Sequence, residues 1–198
     1  MPTAAEVLPL FPLNTVLYPG GYLSLRIFEA RYLDLVRRCA RDGVPFGVVL
    51  IEAGPEAGGP AMPMTHGVAA RIIDFTTLPD GLLGITVTGE RRFRSLRTWV
   101  EPNGLRQADV TWLPEEEPLP LPVAFSVFEL LLRRLADEGD DLLREAPKAA
   151  FDDAAWVAWR LAERLPLEPR ERHELLELDE PATRLARLAE WLPRFQSE

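Results

Sequence analysis

A single cysteine, Cys39, stands in a chain of 198 residues. It excludes an internal disulfide and fits a reducing cytoplasm. Lysine is as scarce: of 22 basic residues only Lys148 is lysine and the rest are arginine. Chemistry that requires a lysine therefore has one candidate. There are two histidines, His66 and His173, set far apart with no ligand pattern near either, so a zinc site of about four closely spaced ligands is not expected. No uninterrupted apolar run approaches the ~20 residues needed to span a bilayer. The first such run is too short and too rich in proline to serve as a signal peptide. A soluble, non-exported cytoplasmic protein with no membrane partner is expected. Basic residues are also short in number, 22 against 31 acidic, for a net charge of −9. Residues 1–113 hold eleven of each sign, whereas residues 114–198 hold twenty acidic and eleven basic. A negative surface repels phosphate backbones and argues against nucleic acid.

What remains is ample for folding. Apolar residues make up 47% of the chain, enough for a core without disulfides or metals. Leu8–Leu13 alternates apolar residues with Pro9 and Pro12, which predicts an edge strand. Pro19-Gly20-Gly21 is a turn. Tyr22–Ile27 reads as a strand with Tyr22, Ser24 and Arg26 on one face and Leu23, Leu25 and Ile27 on the other. From Phe28 the period becomes helical, with Phe28, Tyr32, Leu35, Val36 and Cys39 on one stripe and Asp42-Gly43 as the stop. Val44–Ile51 reads as a buried strand and residues 52–63 as a Gly/Pro-rich loop. Gly67–Thr77 and Gly81–Thr88 form a hairpin, followed after Gly89-Glu90 by a separate strand, Arg91–Val100, with Phe93 and Leu96 inward. Leu105–Leu113 completes the sheet.

The stretch from Leu113 to Pro122 holds four prolines and three consecutive glutamates and reads as a solvated linker. The expected organisation is a β-rich part at 1–113, a Pro/Glu-rich linker at 114–122 and a helical bundle at 123–198. In the bundle, an apolar stripe runs through Val127, Leu131 and Leu135. Asp152 or Asp153 caps a helix reaching about Leu165, and Pro169 and Pro181 occupy first-turn positions. Leu185, Leu188 and Leu192 are the buried face of the last helix.

The residues LPLFPLNTVLYPGGYLSLRIFEARYLDLV near the start, with GERRFRSL at 89–96, resemble the N-terminal, substrate-binding domain of the ATP-dependent protease Lon, a domain also found in cereblon. The resemblance covers essentially the whole chain. It implies an α+β fold, a PUA-like, mostly antiparallel β pseudo-barrel with one early helix, followed by the C-terminal helical bundle. It also implies substrate recognition by protein binding. The ATPase and Ser-Lys protease modules of full Lon are not expected in this chain, which reads as a standalone domain. Lys148 lies between Pro147 and Ala149 rather than in a Gly-Lys-Ser/Thr phosphate loop, and no serine lies between Ser126 and Ser197. No catalytic residue, cofactor or metal is assigned, and a peptidase label of the Lon (S16) type would come from the family name rather than from chemistry.

The densest polar–aromatic cluster is Arg26, Phe28, Glu29, Arg31 and Tyr32. As structure, Arg26 and Glu29 would pair across the strand–helix junction while Phe28 and Tyr32 enter the core. As function, part of the cluster would line a groove for a partner peptide. Met62 and Met64, in the Gly/Pro-rich loop, join these candidates because methionine adapts to varied apolar partners. Cys39, on the apolar stripe, reads as an inert buried thiol. The leading expectation is a non-catalytic module that binds unfolded or partner polypeptides, in a groove between barrel and bundle or by strand addition at a Pro-blunted edge. The alternatives are a self-assembling adaptor, such as a homodimer, that docks one dedicated partner, and a PUA-like RNA or small-ligand binder. The last would use Arg92 and Arg94 on one strand face, opposite Phe93.

Overall fold

The computed structural model describes residues 6–59 and 61–195. The chain forms two compact units, Met1–Glu115 and Glu116–Glu198, the first built on strands and the second on helices.

The first unit contains β1 (Glu6–Leu13), β2 (Tyr22–Ile27), α1 (Ala30–Asp42), β3 (Phe46–Ala53), β4 (Met62–Thr77), β5 (Leu83–Val100) and β6 (Arg106–Trp112). The strands lie in the order β2-β5-β4-β3-β1-β6, and β6 pairs again with β5. That second pairing closes β1, β3, β4, β5 and β6 into a barrel and leaves β2 outside it. β1 and β3 run parallel, and every other pairing is antiparallel.

The expected edge strand at 8–13 is instead inside the barrel wall, buried from Leu8 to Leu13. Its prolines are accommodated by a division of labour. Glu6–Leu10 pair with β6, and Leu10–Leu13 pair with β3. The two ladders overlap at Leu10, so Pro9 and Pro12 each have a neighbour on one side only. Proline is tolerated where a strand is paired on one side only.

Glycine makes room at the centre. Phe93 is fully buried among Leu8, Leu10, Val49, Ala108 and Val110. A Cβ on Gly47 would lie 2.6 Å from the Phe93 ring, and one on Gly67 would lie 2.6 Å from the ring and 2.5 Å from the Val48 carbonyl oxygen. The indole of Trp112 meets the ring edge-on, at 6.1 Å and 83°.

β5 runs unbroken through Gly89-Glu90, where a strand boundary was expected. Gly89 is needed there for close approach, because a Cβ would overlap the Tyr18 carbonyl. Hydrogen bonds of 2.8 Å from Gly20 N to Gly89 O and from Gly89 N to Gly21 O fasten the turn before β2 to the middle of β5. A register shift between Ser95 and Arg97 breaks the alternation, and Leu96, expected inside, is 56% exposed. Arg92 is buried while Arg94 is exposed, so the arginine face considered for RNA does not form. α1 buries Tyr32, Leu35, Val36 and Cys39, and ends on Gly43 at φ 67°.

The second unit comprises α2 (Ser126–Asp137), α3 (Asp141–Arg144), α4 (Ala154–Arg164), α5 (Pro169–Glu177) and α6 (Pro181–Trp191), with short 3-10 turns between. α2 buries Phe128, Leu132 and Ala136, one position on from the expected stripe. The run Val-Phe-Glu-Leu-Leu-Leu supports either register, and the bulky Phe128 takes the inside. Asp153 caps α4 by accepting from Trp156 N at 2.7 Å, and Pro169 and Pro181 open α5 and α6. Leu185 and Leu188 are buried, whereas Leu192 is only partly so.

Arg184 has no exposed surface. Its guanidinium pairs with Glu116 at 2.7 Å, donates to the Leu178 carbonyl at 3.0 Å and lies 3.7 Å over the Trp159 ring. Glu116 also accepts from Trp159 Nε1 at 3.2 Å. The expected solvated glutamate run therefore supplies a counter-ion, without which the buried arginine would be strongly unfavourable. No helix among the described residues is long and apolar enough to cross a membrane.

Candidate functional site

The junction of β2 and α1 gathers most of the singled-out residues. Glu29 is the extended N-cap of α1, yet its side chain makes no capping hydrogen bond. It pairs instead with Arg31 at 2.9 Å. Arg31 in turn donates to the Gly104 carbonyl at 2.9 Å and lies 4.7 Å over the Tyr32 ring. One guanidinium thus ties the first turn of α1 to the turn joining β5 and β6, where Gly104 has φ 84°. Tyr32 stacks on Phe11 at 3.9 Å, with 11° between the planes. Burial pushes the Tyr32 phenol above its ordinary pKa, and the Arg31 charge offsets only part of this.

Against this buttressed wall lies a cavity of about 400 Å³. Phe11, Leu13, Leu25, Phe28 and Tyr32 make it chiefly apolar, and Glu56 and Ala57, from the loop after β3, form another part of its lining. Phe28 is 54% exposed, so it is not the core residue expected. It precedes the first turn of α1, off the stripe that begins with Tyr32. Arg26 does not pair with Glu29, as expected, but with Asp80 of the β4–β5 turn. The reason is register: Arg26 sits opposite Gly84, near the tip of that hairpin.

Arg26, Phe28, Glu29 and Tyr32 therefore share one cavity. Arg31 lines a second, of about 430 Å³, in which Glu29 is the shared residue and Gly58, Gly59 and Asn103 contribute. Met62 and Met64 line neither cavity. They begin β4 rather than occupying a loop, with Met62 58% exposed and paired in register with Ala53. Sequence reasoning missed Phe11, Leu13, Leu25 and Glu56. Their signals were weak, since the first three read as ordinary strand residues and Glu56 lies in a loop with no pattern.

Cys39 is buried, and burial raises its thiol pKa, with Arg38 opposing, so it is an inert core residue. His66 is a partly buried residue of β4 whose Nδ1 lies 3.2 Å from Thr65 Oγ1. Asp140 and Asp141 have separate tasks. Asp140 caps α3 and pairs with Arg164 at 2.8 Å, and Asp141 pairs with Arg144.

A family model described as the ATP-dependent protease La (LON) substrate-binding domain matches residues 7–194. The chain is 31% identical over 150 residues, 74% of its length, to Lon protease 2 of Myxococcus xanthus, and covers 18% of that protein. It is 28% identical over 196 residues to a Lon protease of Anaeromyxobacter dehalogenans, covering 95% of this chain and 23% of the relative. The chain thus spans about a fifth of the length of these curated relatives. Among solved structures, a Lon N-terminal domain protein from Xanthomonas campestris superposes with a TM-score of 0.79 at 41% identity, over 94% of this chain and 98% of that one. The N-terminal domain of a Mycobacterium avium complex Lon protease superposes at 0.68 over 94% of this chain and 97% of that one, and at 21% identity it shows a shared fold.

Proposed function

Because this chain belongs to the family of Lon (protease La) substrate-binding domains, we propose that it is a non-catalytic module that binds unfolded or partner polypeptides through the cleft at the β2–α1 junction. The observation that carries this reading is Phe28, a large aromatic side chain 54% exposed at the rim of an apolar cavity. Exposed aromatics beside a preformed apolar cleft are the usual anchors of protein recognition. The floor is rigid, since Phe11 and Tyr32 are stacked and Arg31 holds the start of α1. Little ordering cost would thus attend binding. Arg26 and Glu29 are already paired with Asp80 and Arg31, and act here as polar rim. Met62 and Met64 form no part of this cleft.

The test is fluorescence anisotropy with a labelled, reduced and unfolded protein. Saturable binding is expected, weakened about fivefold or more by Phe28→Ala. A folded sample showing no binding at high micromolar concentration would refute the proposal.

An adaptor or self-assembly role is the second reading. The outer side of the α2 region exposes Val123 (88%), Val127 and Leu130, spaced as one helical face. Sedimentation showing a monomer throughout the micromolar range would count against it.

A further inference from the structure

We infer that the open edge of β2 is the binding surface and that it takes an extended segment of another polypeptide as an added antiparallel or parallel strand, with a Lys or Arg of that segment directed to Glu56. This rests on the polypeptide-binding reading above and specifies its geometry.

β2 pairs with β5 and, among the described residues, with no other strand. Along a strand with one neighbour, every second residue turns its N–H and C=O away from the sheet. Such an edge is a template for another strand unless something blunts it. Proline, a bulge or a covering element would do so. β2 contains no proline, and its register with β5 is uninterrupted from Tyr22–Thr88 to Ile27–Leu83. The opposite free margin of the same hairpin arm, the end of β4, is irregular, with a register shift between Ile72 and Asp74.

The cavity adjoins this edge. Ser24, Leu25 and Arg26 all line it. Consecutive side chains on a strand point to opposite faces, so three consecutive residues can share one cavity only where it lies along the strand's margin. The apolar part of the lining, from Phe11, Leu13, Leu25 and Phe28, suits alternate apolar side chains of an incoming strand.

Charge selects the occupant further. Arg26 is paired with Asp80 and Glu29 with Arg31. Glu56 is exposed and accepts from the neutral Asn14 amide at 2.6 Å. No cation pairs with it among the described residues, so its negative charge is uncompensated. A segment with alternating apolar residues and one basic residue is complementary on both counts.

The experiment uses the full chain and a fluorescein-labelled nine-residue peptide alternating Val and Thr around one central Lys. Two forms of the peptide carry N-methyl groups on alternate amides, one in each register. N-methylation removes donors from one edge of a strand and leaves the side chains unchanged. In one register it is expected to weaken binding at least tenfold, and in the other to leave it within about twofold. Lys→Glu in the peptide is expected to weaken binding at least fivefold, and Glu56→Gln in the protein to abolish that difference. Equal binding of both N-methylated forms would overturn strand addition while leaving polypeptide binding intact. Unfolded protein bound with no binding of the peptide would also overturn it, as would peptide exclusion by a dimer formed through β2. Loss of binding to both peptide and unfolded protein would overturn the parent reading as well.

Discussion

Placing a methyl group on Gly47 is expected to destabilise the barrel in a way that trimming Phe93 relieves. The new Cβ would lie 2.6 and 2.9 Å from ring carbons of Phe93 and 2.8 Å from Leu10 Cδ2. Comfortable carbon–carbon contact is about 3.5–4.0 Å, so the ring must move by roughly 1 Å in a packed interior. Overpacking of this kind costs about 1–3 kcal/mol. For a chain of this size each kcal/mol lowers Tm by roughly 2–4 °C, so about 2 kcal/mol predicts a fall of some 4–8 °C. The three nearest atoms around Gly47 all belong to side chains, so Phe93→Leu should absorb the methyl. That change alone costs about 1–2 kcal/mol through lost packing, and the double variant should recover at least about 1 kcal/mol relative to additivity. Gly67 is the internal control. Its Cβ would meet the Phe93 ring at 2.6 Å but also the Val48 carbonyl oxygen at 2.5 Å, and main chain cannot be trimmed away. Gly67→Ala should therefore stay destabilised in the Phe93→Leu background. Urea unfolding followed by tryptophan fluorescence reads all six proteins of the two cycles, because Trp112 touches the Phe93 ring. Equal coupling for the two glycines, or a Gly47→Ala effect within about 0.5 kcal/mol of zero, would refute the reasoning.

Two further outcomes are expected. Burial raises the Asp140 carboxyl, but hydrogen bonds from Arg164 and the Leu143 N–H outweigh it and hold the pKa below the ordinary value. A lowered folded-state pKa stabilises above the unfolded value near 4 and is lost as pH falls through the folded one. Asp140→Asn, which keeps the cap, should therefore cost about 1 kcal/mol at pH 7 and progressively less below pH 4. Parallel stability curves from pH 7 to pH 2 in urea titrations would contradict this. Cys39, buried with its thiol pKa raised, should react with Ellman's reagent at pH 8 at least about tenfold more slowly in the native chain than in urea. Equal rates would show that the first helix opens freely.

Much of the architecture was legible because local patterns and tertiary context agree. The alternation of β2, the stripe of α1, the Gly43 stop and the proline starts of α5 and α6 are all short-range signals. The failures occur where a distant partner decides. Pro9 and Pro12 suggest an edge until two staggered ladders are seen to share β1. Gly89 looks like a strand break until Tyr18 is found against it. Leu96 turns outward because of a register shift set by β6. At the candidate site the cluster from Arg26 to Tyr32 was visible as a patterned stretch, and its arrangement was not. Arg26 is claimed by Asp80 and Glu29 by Arg31, choices fixed by a hairpin tip and a turn remote in sequence. Glu56 carries no local pattern and acquires meaning only through the wall it helps form.

The position of β2 bears on how the chain must be made. Its only pairing partner among the described residues, residues 83–88, is synthesised well after β2 itself. At ~5–20 residues per second the wait is roughly 3–13 s, during which Leu23, Leu25 and Ile27 have no sheet to join. β1 waits less, because β3 supplies a neighbour for Leu10–Leu13, while Glu6–Pro9 stay unpaired until β6 appears and the barrel can close. The young chain therefore carries β2 unpaired and β1 half-paired at once, and ribosome-bound lengths at which β2 has emerged but residues 83–88 have not should be the ones that engage chaperones most strongly.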